Sequence, residues 1–303
     1  MKVFLTGATG YVGSVVLRRL LAAGDEVIAL ARQAPGRQFL EHPRLHWRFA
    51  DLRETAVVAE CAHGADATIH TAAEHAGAMR EVDDRASDGM IDGLRGSGKP
   101  LISTSATVVY GDTGLIPRIE AGPILSPHPL REWRIANDQR IADAGALGIR
   151  GVVVRPPTIY GAGAGPMAMR IAAAAKAGYA QYIGDGASVW SSVHVSDLAD
   201  LYVALLHREA ASGIYNAASA ETLSRRALAE AIAATLGPAY AARSITLEEG
   251  RAIWGFLADL SLINQVISGE RARSELQWSP SRPTLMELLR AGRYYEETLA
   301  ARG

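Results

Sequence analysis

Three stretches of this chain carry residues whose types and spacing suit the binding and transformation of a small molecule. In TGATGYVG, Gly7, Gly10 and Gly13 recur every third residue, directly after the apolar run KVFL and before a helical segment. Backbone N–H groups left bare by glycine, together with the positive end of a helix, suit a pyrophosphate. The spacing therefore predicts dinucleotide binding, with Thr9, Tyr11 and Val12 lining the same turn. In VIALARQAPGR, Arg32 and Arg37 stand where an acidic residue would hold a bare ribose 2′-hydroxyl. A guanidinium there pairs with a 2′-phosphate, so the expected cofactor is NADPH. The third stretch is split. Ser105 closes the apolar run of ISTSATVVYG, and PLREWRIANDQRIADA, residues 129–144, reads as a helix with Trp133 and Asn137 four residues apart. An indole donates a hydrogen bond but keeps its proton near neutrality, and an amide carries no charge. With no His-x-x-x-His or paired-cysteine spacing, no metal site is expected.

The bulk properties agree with small-molecule work. The 303 residues hold 31 basic against 32 acidic side chains, a formal charge of -1, which excludes a nucleic-acid footprint or an electrostatic membrane anchor as an expectation. Cys61 is the one cysteine, so no internal disulfide can form. The N-terminus turns glycine-rich too early for a signal-peptide core, and no apolar run approaches the ~20 residues of a membrane span. A cytoplasmic protein is expected, its oligomeric state left open.

The elements that must position these residues are legible as alternation. KVFLTG, EVIALAR, LHWRFADL, ATIHTAA, PLISTS and GVVVRPPTIYG are unbroken apolar runs, the pattern of strands buried on both faces of a parallel sheet. Helical segments between them, such as GSVVLRRLLAA ending before Gly24, supply crossovers. This predicts an α/β fold, a Rossmann-type doubly wound parallel sheet with a smaller, interleaved C-terminal substrate lobe. The sheet domain is expected at 1–160 plus about 190–217, and the lobe at about 161–189 plus 218–303. In the lobe, SRRALAEAIAATLGP predicts a helix capped by Ser224 and stopped at Gly237-Pro238.

Taken with Asp51-Leu52, IHTAA, VRPPTIYG, SSVHVSDLA, GIYNAAS and RARSELQWSPS, these motifs resemble the extended short-chain dehydrogenases/reductases, the NAD-dependent epimerase/dehydratase-like group, over almost the whole chain. The resemblance implies that Asp51 and Leu52 lie by the adenine, that Thr71 and Ala72 run along the cofactor, and that the PPTIY segment, with Pro156 and Thr158, meets the nicotinamide end. It also implies Ser105 as the catalytic serine, partnered by a Tyr-x-x-x-Lys on the next helix. That pair is absent. The three lysines are Lys2, Lys99 and Lys176; Lys2 has no residue four places before it, and the others follow Arg95 and Ala172 at that spacing. By helix position Trp133 and Asn137 replace the pair, and with Tyr160 they are expected to line the substrate pocket.

Three functions are compatible with the lost acid. The favoured one is an atypical NADPH-dependent ketoreductase in which cofactor geometry outlasts the tyrosine. A narrower resemblance, to atypical reductases of aromatic polyketide antibiotic biosynthesis (angucyclinone ketoreductases), implies a flat aromatic ketone as the substrate. A non-catalytic NADPH-binding regulator is the alternative. An epimerase or dehydratase of nucleotide sugars is disfavoured, because oxidising an unactivated alcohol needs a base that Trp133 is not.

Overall fold

The structure, a computed structural model, describes residues 1–33, 40–74, 77–125, 127 and 129–296. Arg37, His75 and His128 lie outside them. The first half alternates strand and helix: β1 (Lys2–Thr6), α1 (Tyr11–Ala22), β2 (Glu26–Ala31), β3 (Leu45–Phe49), α2 (Thr55–His63), β4 (Ala67–His70), α3 (Met79–Leu94), β5 (Pro100–Thr104), α4 (Pro129–Ala142) and β6 (Arg150–Arg155). There follow β7 (Thr158–Tyr160), α5 (Gly165–Ala177), β8 (Ala180–Ile183), β9 (Val189–His194), α6 (Val195–His207), β10 (Gly213–Asn216), β11 (Thr222–Ser224), α7 (Arg225–Leu236) and β12 (Ala242–Ile245). The chain closes with α8 (Leu247–Trp254), α9 (Leu257–Leu260), α10 (Glu270–Leu276) and α11 (Leu285–Arg290).

Seven strands form one parallel sheet in the order β10-β6-β5-β4-β1-β2-β3. Chain order reverses between β1 and β4, and such a switch point opens a crevice at the strands' carboxyl ends. Alternation along β1 shows how the sheet is buried twice. Val3 and Leu5 enter a core shared with α1 and α6, while Phe4 enters a second core shared with α2 and α3. All three are fully buried, so truncating any of them to alanine would cost about 2–5 kcal/mol.

VRPPTIYG was expected to run on as one strand, and the prolines divide it. Pro156 and Pro157 have no N–H to give a ladder, so β6 stops at Arg155 and β7 joins β9 and β11 in a separate three-stranded sheet. A third core, in the lobe, gathers α5, α7, α11 and β8, and Ser224 caps α7 by accepting from the Ala227 N–H at 3.1 Å. The tail serves both cores. Ala272 and Trp278 join the core of the sheet domain, Trp278 Nε1 donating to Asp197 O at 2.8 Å. None of the helices among the described residues is long and apolar enough to cross a membrane.

Candidate active site

The glycine turn is built for close approach. Gly7 has φ +76°, and a Cβ on Gly13 would stand 2.1 Å from Gly7 O and 2.5 Å from Thr71 Oγ1, inside any tolerable contact. Thr71 donates to Thr6 O at 2.8 Å, which ties the end of β4 to the end of β1, and Ala72 lies against Gly7. Gly10 caps α1 without a side chain, leaving the first-turn N–H groups to face outward beside exposed Thr9. A dinucleotide pyrophosphate fits this cradle. Val12 packs against the core, and Tyr11 donates to Gly161 O at 3.0 Å, clamping the loop after β7 over the start of α1. Gly165 has φ +73°, and a Cβ there would strike the Tyr11 ring at 2.3 Å.

Arg32 extends into solvent from the end of β2 and lies 3.6 Å from Glu74 beyond β4, a loose and solvated contact. Asp51 accepts from Arg53 Nη1 at 3.1 Å and from the Arg53 backbone N–H at 2.9 Å, so its carboxylate is held in the turn before α2, while Leu52 packs on the core. Pro156 is buried and accepts from the Thr107 N–H at 3.1 Å; Thr158 is half-buried at the start of β7.

At the ends of β5 and β6 the structure reveals a buried ionic knot. Ser105 donates to Asp138 Oδ2 at 2.7 Å, and Arg155 Nε donates to the same oxygen at 2.9 Å. A serine hydroxyl has one proton, so Ser105 shows the crevice only lone pairs while Asp138 is ionised. Burial pushes the Asp138 carboxyl above the usual carboxylate range, although the Arg155 charge opposes the shift. A second knot joins α3 to α4. Arg134 donates from Nη1 to Thr104 O at 2.9 Å and from Nη2 to Asp83 at 3.1 Å; Asn137 donates to Asp83 at 2.6 Å and to Ser87 at 3.1 Å. Burial alone would raise the Asp83 carboxyl, but the His70 ring, the Arg134 charge and the Asn137 amide outweigh it and hold it below its ordinary range. His70 accepts or donates at Nδ1 to Thr6 Oγ1, 2.6 Å away, with its Nε2 3.6 Å from Asp83.

Thus the α4 positions facing the sheet edge at i and i+4 are Arg134 and Asp138. Asn137, expected in the pocket, lies between α3 and α4, and Trp133 is half-buried one position round, its ring 4.9 Å from the Arg134 guanidinium. Tyr160 is 1% exposed, its hydroxyl donating to Pro283 O at 3.0 Å inside the lobe. Tyr110 is fully buried and donates to Asn216 at 2.9 Å, with burial raising its proton affinity. Neither offers a phenol to the crevice. Arg131, half-buried at the mouth, lies over Phe256 of the lobe at 4.9 Å and pairs with no carboxylate among the described residues; burial, and then the charge of Arg134, lower its proton affinity.

A family model described as "NAD dependent epimerase/dehydratase family" matches residues 3–218. The chain belongs to that family. It is similar to an uncharacterized protein of Schizosaccharomyces pombe, 30% identical over 97% of this chain and 100% of the relative. It is also similar to the dTDP-4-dehydro-6-deoxy-D-allose reductase of Streptomyces bikiniensis, 28% identical over 88% and 91%. The UDP-glucose 4-epimerase of Thermus thermophilus, solved in complex with NAD, superposes with a TM-score of 0.78 at 21% identity over 99% of this chain and 100% of that one. That likeness establishes the Rossmann-type fold. Arg134, like Arg131, could be read from the sequence as reaching the substrate oxygen; Asp83, Asp138 and Arg155 are the residues of these knots that the sequence left unassigned. Their signal was available only in part: Arg134 and Asp138 share a helical face, but nothing local announces that Arg155, at the end of an apolar strand, is buried against Asp138.

Proposed function

We propose that the protein is an NADPH-dependent carbonyl reductase that works without a tyrosine acid, on an aromatic ketone whose own neighbouring hydroxyl assists. The observation that carries this reading is the sheet edge itself, where a dinucleotide cradle leads to Ser105, Asp138 and two arginines, with no lysine among the described residues there and with the nearby phenols of Tyr110 and Tyr202 fully buried on Asn216 and Thr104. A reduced nicotinamide dinucleotide bound there supplies hydride. Arg134, anchored on Thr104 O and neutralised by Asp83, fixes α4 against the end of β5. Arg131, with no carboxylate on it, is positioned to stabilise negative charge growing on a ketone oxygen, and it stays protonated in doing so. The proton then comes from water or from a phenolic hydroxyl beside the ketone. Oxidation of an unactivated alcohol, which an epimerase or dehydratase requires, lacks its base here; reduction asks less of the protein. The similarity to a dTDP-sugar reductase supports a reductive role, and Trp133 and Phe256 at the mouth suit a flat substrate.

The test is fluorescence titration with NADPH and NADH, followed by NADPH oxidation with and without an aromatic ketone. The expected result is tighter binding of NADPH, a narrower gap in Arg32→Ala, and oxidation only with ketone present. Equal affinities would overturn the cofactor assignment, and NADPH binding without any ketone-dependent oxidation would favour the regulator.

A further inference from the structure

Two arginines of the lobe, one buried and one half-buried, have no carboxylate partner among the described residues. Arg225, the first residue of α7, is 6% exposed, and among the described residues its side chain makes no hydrogen bond or ion pair. Its Nε is buried with no acceptor, and its guanidinium carbon lies 3.6 Å from the centroid of Trp190. Arg170, half-buried on α5, lies 4.7 Å over Trp254, and its one side-chain hydrogen bond among the described residues is a long one, 3.4 Å from Nη2 to Gln181 O. The indole Nε1 of Trp254 is likewise buried with no acceptor.

A buried cation is costly unless something balances it, and stacking on an indole returns only part of that cost. Burial lowers the proton affinity of Arg170 to about 10, and that of Arg225 is lowered by burial and then by the neighbouring charge of Arg170. The lobe does not lack acids. Glu230 is paired with Arg226 and Asp259 with Arg251, both solvated arginines, while among the described residues no carboxylate pairs with Arg170 or Arg225. The location connects with the crevice: Trp254 is two residues before Phe256, which packs on Arg131 of α4, and Trp190 is on β9, partner of β7.

We infer that Arg170 and Arg225, walled by Trp254 and Trp190, form a subsite for an oxyanion, a phosphoryl or carboxylate group carried by the substrate away from its ketone. This deepens, and rests on, the reductase reading. Stacking fixes the two guanidinium planes and leaves N–H edges to the anion. The two positive charges favour a doubly charged phosphoryl group over a carboxylate.

The test titrates inorganic phosphate, and in parallel acetate, into protein already saturated with nicotinamide dinucleotide, so that the pyrophosphate cradle is filled; calorimetry reads the binding. Saturable binding of phosphate is expected, weakened about tenfold or more in Arg225→Met and in Arg170→Met, each with an unchanged melting temperature in anion-free buffer. Binding of acetate in place of phosphate, lost in the same variants, supports the subsite with a carboxylate as its ligand. No saturable binding of either anion, or binding undiminished in both variants, overturns it. So does a large fall in melting temperature of anion-free Arg225→Met, which would show that the cation serves to hold Trp190. Anion binding without ketone turnover would overturn the reductase reading and leave the subsite standing.

Discussion

At the scale of single residues, the proton is the question. Ser105 spends its hydroxyl hydrogen on Asp138, so it donates to a ketone oxygen only when Asp138 is protonated or replaced. Because the folded Asp138 keeps its proton to higher pH than an ordinary carboxylate, kcat/KM for reduction should rise as pH falls through that titration. Asp138→Asn, whose amide can face Ser105 and turn its hydroxyl outward, should flatten the profile; a profile unchanged in that variant would remove Ser105 and Asp138 from the chemistry. The Trp133 indole keeps its proton near neutrality, so Trp133→Phe should keep kcat/KM within about tenfold of the parent. A loss of several powers of ten with NADPH binding intact would make the indole essential.

At the scale of elements, α3 and α4 are held by Asp83 with Arg134 and Asn137, all at or below 8% exposure. Asp83→Ala leaves Arg134 buried without its carboxylate and should cost about 3–5 kcal/mol, read by urea unfolding. Since the folded Asp83 has its proton affinity lowered, this contribution is present above the ordinary carboxylate range and is lost as pH falls through the folded value. A loss under about 1 kcal/mol would show the clamp to be ornamental. These elements were legible in the sequence to different depths. The sheet strands, the glycine turn and the Ser224 cap follow from local pattern, because two-sided burial and backbone geometry leave their marks on neighbouring residues. The direction of Asn137 does not, since a rotation of one helical position decides between crevice and helix interface. Nor do the buried arginines, whose surroundings come from residues far away in the chain.

For the whole molecule, the Tyr11 hydroxyl on Gly161 O and the pairing of β7 with β9 tie the glycine turn to the second sheet. Catalysis on this plan depends on orientation and on charge already in place, and the substrate contributes what the helix lacks. On the proposed reading no tyrosine of the protein is the acid, and a hydroxyl beside the ketone supplies the missing hydrogen bond. The direct measurement is kcat/KM, under saturating NADPH, for two aryl ketones that differ only in that hydroxyl, free in one and methylated in the other. The ketone with the free hydroxyl should be faster by about 100-fold, the effect of one donor aimed at an oxyanion; equal rates for the two ketones would contradict this reading.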